Sequence, residues 1–505
     1  MLLPTSSIRT MLLGGLCGLS ISACTTAQLA RIEPSTALIT PRSIDTVCRN
    51  LFAQLDQAVF DVGVQDVQSN RIPGFPYLRS DRFLSSFATE AMTPAATRQW
   101  MMALRNLDRE DRAIELGNLD ADSVAKLRAQ RSIETNLMAE VERCGVTLMA
   151  RDLASTEAIE RLRSAAQSPD SYSLIMRTLG LYPITSLFIK RGVIQLQREI
   201  DAQFADTARW QNASLRSLVP QENSQLNPVQ VRELINSSID NPLRIPQLSN
   251  SSLQTLFDHF APIWTIETRS AADRPGVPVW LPVGTSAIDS TGPRVFTHLS
   301  FTRRQGQVLP QFNYSIWFPE RPRTGPFDIL GGHLDGITLR VTVGLDGRPL
   351  MYDAMHNCGC YHMYFPPQDG LHAKPQLLKG EEPLLIPSTV PAAALDARLE
   401  LYIAANTHYI EGVRMQATSR SGDDAYSLRS AQFLRALPVP GGGTRSLYGS
   451  DGIVAGTQRR ERWLLWPMGI IEPGAMRQWG HHAVAFFGRR HFNDAYLLDR
   501  YFEQP

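Results

Sequence analysis

The hydrophobic pattern changes period part-way along the chain, and that change limits the fold more than any motif does. Up to about residue 206, apolar residues recur at helical spacing. Ser43 is placed to cap a helix reaching about Phe60. Thr93-Pro94 reads as N-cap plus first-turn proline for a helix through about Asn106. Ala121–Met149 carries long helical periodicity, Ser155 opens another helix, and Leu187–Phe204 forms one more. The exception is Gln65–Arg79, where Ile72-Pro73-Gly74-Phe75-Pro76-Tyr77 reads as a rigid apolar turn that packs.

Asn, Ser, Gln and Pro dominate residues 207–250, with one short helix starting at Asn227-Pro228. From about residue 262 the texture differs again. Arg294–Thr302, Gln307–Phe318, Ile337–Val343, Leu399–Ala404 and Ala483–Phe487 are short runs rich in β-branched and aromatic residues. Turn formers such as Asp346-Gly347 bound them, and six of the eight tryptophans follow residue 260, which suits a broad sheet-packed core. At 505 residues the chain is too long for one ordinary core. The expectation is an α+β protein: an all-helical domain over 43–206, a linker with a short helix over 207–250, and a β-rich sandwich or jelly-roll-like domain over 251–505. No internal repeat is visible.

The N-terminus gives a second constraint. Arg9 precedes an apolar run, Met11–Ala23, that ends in Ile21-Ser22-Ala23-Cys24. A short basic region, an apolar stretch of about 7–15 residues and small residues at the cut make a secretory signal rather than a membrane span. Residues 1–23 are expected to be that signal and 24–42 a polar tether. The four residues ending at Cys24 resemble the lipobox of bacterial lipoproteins. The resemblance implies cleavage before Cys24 and a diacylglyceryl group on its thiol. Thr25 in the next position is similar to outer-membrane sorting, which implies a lipid-anchored protein of the outer membrane facing the periplasm.

Arg9 is the sole charged residue of the first 23, so the remaining basic residues equal the 49 acidic ones. A balanced chain lacks the broad positive field of a nucleic-acid binder, and no nucleic acid is expected as partner. No later stretch reaches about 18 uninterrupted apolar residues, so no transmembrane helix is expected. The nearest is Leu174–Ile189, broken by Arg177, Gly180 and Pro183. It reads as a buried helical pair, with a membrane-lying segment as the alternative.

Six cysteines are present, of which Cys17 leaves with the signal and Cys24 is taken by lipid. Cys48 lies on an apolar stripe with Ile44, Leu51, Phe52 and Leu55, and Cys144 on another with Leu137, Val141 and Leu148. In an oxidising compartment these two either form a disulfide joining two helices or stay as small buried hydrophobes.

The strong catalytic motifs are missing: His-Glu-x-x-His, Gly-x-Ser-x-Gly and the P-loop all fail to appear. One constellation remains. His333-Leu334-Asp335 is followed by Asp353 and then by His356-Asn357-Cys358-Gly359-Cys360-Tyr361-His362. Imidazole, thiolate and carboxylate are the side chains that bind transition metals, so His333, Asp335, His356, Cys358, Cys360 and His362 are candidate ligands for Zn or Cu, with His408 as a distant one. A straight strand rises about 3.3 Å per residue, so one ion cannot take His356 and His362 together unless Gly359 bends the chain. A strained Cys358–Cys360 disulfide and plain packing are the other two readings of the cluster. His333, Asp335 and His408, with Arg414 six residues on, are also similar to the pattern of 2-oxoglutarate-dependent iron oxygenases. That resemblance implies a ferrous site on a jelly-roll barrel.

Two functions follow. One is a lipid-anchored envelope lipoprotein with a binding or structural role and an envelope protein as partner. The other is a metal-dependent or thiol-redox periplasmic enzyme centred on residues 333–362.

Overall fold

The computed structural model describes residues 43–129, 136–222, 224–375, 380–391, 397–417 and 424–504. The expected signal 1–23, Cys24 and the tether lie outside the described residues. Helices fill the N-terminal half: α1 (Ile44–Val62), α2 (Arg82–Ser85), α3 (Pro94–Gly117), α4 (Ala121–Ala129), α5 (Leu137–Leu153), α6 (Thr156–Ala165), α7 (Leu174–Leu179) and α8 (Tyr182–Ala205). Next come α9 (Pro228–Asn236) and α10 (Asn250–Phe260), with α11 (Arg462–Leu465) and α12 (Leu497–Tyr501) near the C-terminus.

Local chemistry explains the helix starts. The side chains of Ser43, Thr93 and Ser155 accept hydrogen bonds from the backbone N–H groups of Thr46, Ala96 and Ala158. Asn227 and Gln230 cap α9 reciprocally. No glycine or proline follows Pro94 before Gly117, so α3 runs well past Asn106. The buried stripe of α1, Cys48, Leu51, Phe52, Leu55 and Val59, joins the core that contains Leu137, Val141, Cys144 and Leu148 of α5. Cys48 and Cys144 come to disulfide distance there, with Cα atoms 5.1 Å apart.

The Gln65–Arg79 segment is a hairpin rather than a loop, with β1 (Asn70–Ile72) and β2 (Phe75–Ser80). Gly74 turns it at φ +84°, a conformation glycine adopts freely.

The C-terminal half is built on a ten-stranded mixed sheet. Its strands are β3 (Leu215–Pro220), β4 (Ile263–Glu267), β5 (Arg294–Arg304), β6 (Gln307–Arg321), β7 (Gly332–Val343), β8 (Pro349–His356), β9 (Met363–Phe365), β10 (Ala397–Ile403), β11 (Ile410–Ala417) and β12 (Asp424–Ser430). The order is β9-β8-β7-β6-β5-β12-β3-β4-β10-β11. The fold is therefore α+β, with helices first and a large mixed sheet after them. β3 comes from the linker region 207–250 and sits mid-sheet, parallel to β12 and antiparallel to β4. The β5–β12 pairing is parallel and covers only Arg294–Thr297. Past Thr297 that edge of β5 has no strand neighbour among the described residues of the sheet.

Two local expectations change. Ala483–Phe487 is not a strand; only Ala483 forms a bridge, to His491. Three of its backbone N–H groups go to side chains instead: Ala485 to the Tyr172 hydroxyl at 3.1 Å, Phe486 and Phe487 to Glu382 Oε2 at 2.6 and 3.3 Å. Leu174–Ile189 is helical, but its apolar side chains are not buried. Leu174, Ile175, Leu179, Leu181, Ile184, Leu187 and Phe188 are all exposed.

Candidate functional site

The seven ligand-type residues divide into separate groups, and the backbone at Leu334 is the first cause. Leu334 has φ +47°, which breaks the alternation that would aim His333 and Asp335 the same way. His333 meets Ser286, Nε2 to Oγ at 3.2 Å. Asp335 turns inward, with Oδ2 2.9 Å from His408 Nδ1 and Oδ1 3.4 Å from His356 Nδ1. His408 reaches Asp273 on its other side, Nε2 to Oδ1 at 3.6 Å. The iron-type triad is therefore not assembled, since His333 stands apart. Arg414 is also engaged elsewhere, donating from Nε to Glu400 at 2.7 Å.

His362 belongs to a second group. Its Nε2 lies 2.7 Å from Asp353 Oδ2, and Arg340 holds the same carboxylate from Nε at 3.0 Å and from a terminal nitrogen at 2.5 Å. Cys358 and Cys360 form the third, on a turn where Gly359 has φ +92°. The Cys360 N–H points at Cys358 Sγ across 3.4 Å, and Arg477 Nε donates to the Cys358 carbonyl at 2.9 Å. A Cβ on Gly359 would sit 2.7 Å from the Ala483 carbonyl oxygen, so the turn admits no larger residue there. Among the described residues, no group of three or more His, Cys, Asp or Glu is placed to hold a metal ion.

The electrostatics of the first group are well defined. Burial would raise the Asp335 carboxyl, but His356 and His408 outweigh it and hold Asp335 well below the usual range. Burial would lower His408, yet Asp273 and Asp335 together raise it. Burial lowers His356 despite the same carboxylate. Asp335 thus lies between His408, which is shifted toward its charged form, and His356, which is shifted toward its neutral one. Tyr361 and Tyr409 lie beside His356, with hydroxyls 2.7 Å apart, and Arg321 donates to Tyr409 at 2.9 Å. Four non-glycine residues in the left-handed region border this cluster: Leu334, Tyr361, Asn406 and His408. Strain of this kind persists only where the surroundings over-determine it. The arrangement orients and charges groups, but Asp335, His356 and His408 are all buried. A cavity of only about 40 Å³ touches Cys358, Cys360 and Tyr361, room for little more than water.

Spaces large enough for a ligand lie elsewhere, one of about 500 Å³ beside His259, Tyr352 and Arg398 and a larger one. A cavity of about 670 Å³ separates the helical layer from the sheet. Its size falls within the ~300–1,000 Å³ range of small-molecule sites. One wall is a face of α3, with Ala103, Asn106, Leu107 and Glu110 at helical spacing. The opposite wall is Thr297 and the free part of β5 beyond it, His298 to Phe301. Trp479 and His298 stand together at one side, ring centroids 4.6 Å apart. Gln68, Asp81, Gln254, Arg429 and Asn493 add polar groups. Asp81 caps α2 through one oxygen, accepting from the Leu84 N–H at 2.7 Å, and its burial pushes the carboxyl up to about 6. Burial also pushes the His298 imidazole down to about 4. Sequence reasoning missed this site because its lining comes from widely separated segments. The one local signal was polar Asn106 and Glu110 on a helix face beside the apolar stripe.

No protein-family model, no curated protein and no solved structure matches this chain.

Proposed function

We propose that the chain is a lipid-anchored envelope binding protein, held by lipid on Cys24 at the outer membrane and facing the periplasm. Its ligand seat is the cavity between α3 and β5. The single observation that carries the binding role is that cavity: large, open and lined by mixed polar and aromatic groups. The lining also indicates the ligand class. Amide and hydroxyl side chains outnumber charged ones, with Asp81 and Glu110 against Arg429. Trp479 offers a ring face. A hydroxyl-rich ring compound without negative charge, such as a neutral saccharide, meets all three features.

The test uses neutral disaccharides as probes and tryptophan emission as readout, the Trp479 share being the part lost in Trp479→Phe. Saturable quenching is expected, and it should disappear in Ala103→Trp, which fills the α3 wall. The reading fails if no probe perturbs Trp479 and Ala103→Trp leaves envelope function intact in cells. Lipidation is tested separately by incorporation of labelled palmitate, which Cys24→Ala should abolish.

The Cys358-Gly359-Cys360 turn favours a second reading, a thiol-redox role. Peptide mass spectrometry of non-reduced protein from its native compartment decides whether that pair cycles.

A further inference from the structure

The α7–α8 corner has its polarity reversed. Arg177 of α7 is 7% exposed, whereas Leu174, Ile175 and Leu179 on the same short helix are 67%, 72% and 72% exposed. A surface helix of a folded protein normally turns its apolar face inward. Here the inward contacts are polar: Arg177 donates from Nε to the Met468 carbonyl at 2.8 Å and from a terminal nitrogen to the Gly488 carbonyl at 2.6 Å. Its guanidinium also lies over the rings of Tyr172 and Tyr182, at 4.6 and 4.4 Å. The Ser173 N–H donates to the Gly469 carbonyl at 2.7 Å.

The corner is held firmly in this orientation. A Cβ on Gly180 would lie 2.5 Å from Pro467 Cβ, so only glycine lets the corner rest on that turn. Leu181 follows in the left-handed region at φ +48°, with its side chain outward. α8 continues the pattern. Ile184, Leu187 and Phe188 share one exposed face, while Val193 and Ile200 are buried on the opposite one. The turn that supports the corner carries Trp466, and α11 beside it carries Trp463 and Leu464, all exposed. Scattered exposed apolar residues need no explanation, but this concentration on touching elements does.

Charge identifies the occupant. No Asp or Glu occurs between Ser171 and Arg198. The exposed face of α8 passes from Ile184, Leu187 and Phe188 directly to Arg191 and, two turns on, Arg198, with exposed Lys190 alongside. Apolar side chains with tryptophan, followed by a basic margin, match the headgroup–acyl boundary of an anionic bilayer. We infer that the α7–α8 corner, with Trp463 and Trp466, docks on an anionic membrane surface, independently of any lipid on Cys24. The apolar tip enters the interface and Lys190, Arg191 and Arg198 meet the headgroups. No helix of the described residues is long and apolar enough to cross a membrane, which agrees with a surface contact.

The test separates this face from the anchor. The described residues begin at Ser43, so a chain begun at Thr25 keeps all of them while lacking Cys24. That chain is sedimented with vesicles of phosphatidylcholine alone and of phosphatidylcholine mixed with phosphatidylglycerol. Binding to the mixed vesicles, weakening with added salt, is expected. The double variant Leu187→Glu and Phe188→Glu should reduce partitioning by roughly tenfold or more. These side chains are exposed, so the variant's circular dichroism and melting temperature should match the parent's. Lys190→Glu with Arg191→Glu should remove the preference for the anionic lipid. The inference is overturned if the parent chain binds neither vesicle, or if it binds both and the Glu variants bind equally well. It is also overturned if the parent self-associates through this face, shown by a concentration-dependent mass that Leu187→Glu abolishes, without binding vesicles.

Discussion

Arg435 donates from Nε to Asp66 Oδ2 across 2.8 Å, joining two residues 369 positions apart in the chain. Its other end meets Asp111 of α3, and Gln478 donates to both Asp66 oxygens at 3.1 and 3.0 Å. Arg79 lies in the same cluster, with Asp108 at 3.2 Å and Glu115 at 2.7 Å. These groups are all buried. The helical layer is thus tied to the C-terminal half through ionic contacts taken out of water. Removing one member leaves carboxylates uncompensated, which is far worse than losing an exposed pair. Arg435→Met is expected to lower stability by about 3–5 kcal/mol in urea unfolding. A loss below about 1 kcal/mol would mean that Gln478 and Arg79 satisfy Asp66 and Asp111 unaided.

Acid should unfold the protein partly through Glu115. Burial alone would raise this carboxyl, but Arg79, Arg71 and Arg112 outweigh it and hold the value at about 2. The unfolded chain titrates nearer 4.5, so the stability Glu115 contributes is fully present above that pH and is lost as pH falls toward about 2. His298 acts in a higher window. Its depressed value of about 4, against 6.5 unfolded, gives stability that is present above 6.5 and lost as pH falls through about 4. Urea midpoints measured from neutral pH downward should decline in both windows. His298→Asn should flatten the upper part and Glu115→Gln the lower; a profile that neither variant changes would refute both assignments.

What was legible in the chain was what is decided locally. Ser43, Thr93, Ser155 and Asn227 cap helices through bonds spanning three residues, and such bonds are written in adjacent letters. β3 was not legible, because Leu215–Pro220 becomes a strand through partners near residues 265 and 425. Ala483–Phe487 has strand composition, yet Tyr172 and Glu382 take three of its N–H groups. The ligand-type residues of 333–362 were visible as a set. Their division was not, since it follows from the left-handed turn at Leu334. The α7–α8 stripe was visible as apolar, but periodicity does not say which side faces the body; Gly180 against Pro467 and the buried Arg177 decide that.

Cys48 and Cys144 are separated by 96 positions. Closing a loop near that length removes about 4–5 kcal/mol of chain entropy from the unfolded state in the loop-closure model. Reduction, or the double change Cys48→Ala and Cys144→Ala, should lower the thermal midpoint markedly and move the urea midpoint with it. Non-reduced peptide mapping should recover the two cysteines as one linked species. Finding both free in protein from its native compartment would leave them as small buried hydrophobes, and reduction would then change nothing.

Asp335 is the last test, because it distinguishes a hydrogen-bonded relay from a metal centre. The carboxylate meets both His408 and His356 directly, with no room left between the oxygens and the two Nδ1 atoms at 2.9 and 3.4 Å. In that arrangement Asp273 and Asp335 raise the His408 imidazole against the effect of its burial. Asp335→Asn removes one of the two. The His408 value should fall, and stability should drop by about 3–5 kcal/mol, as when one partner of a buried pair is removed. Imidazole resonances followed by NMR report the titration, and urea unfolding the stability. Elemental analysis of parent and variant, both purified without chelator, completes the comparison. Equal metal content with a shifted His408 titration supports the relay. One equivalent of zinc or copper in the parent, absent from Asp335→Asn, would instead make Asp335, His356 and His408 ligands of a bound ion.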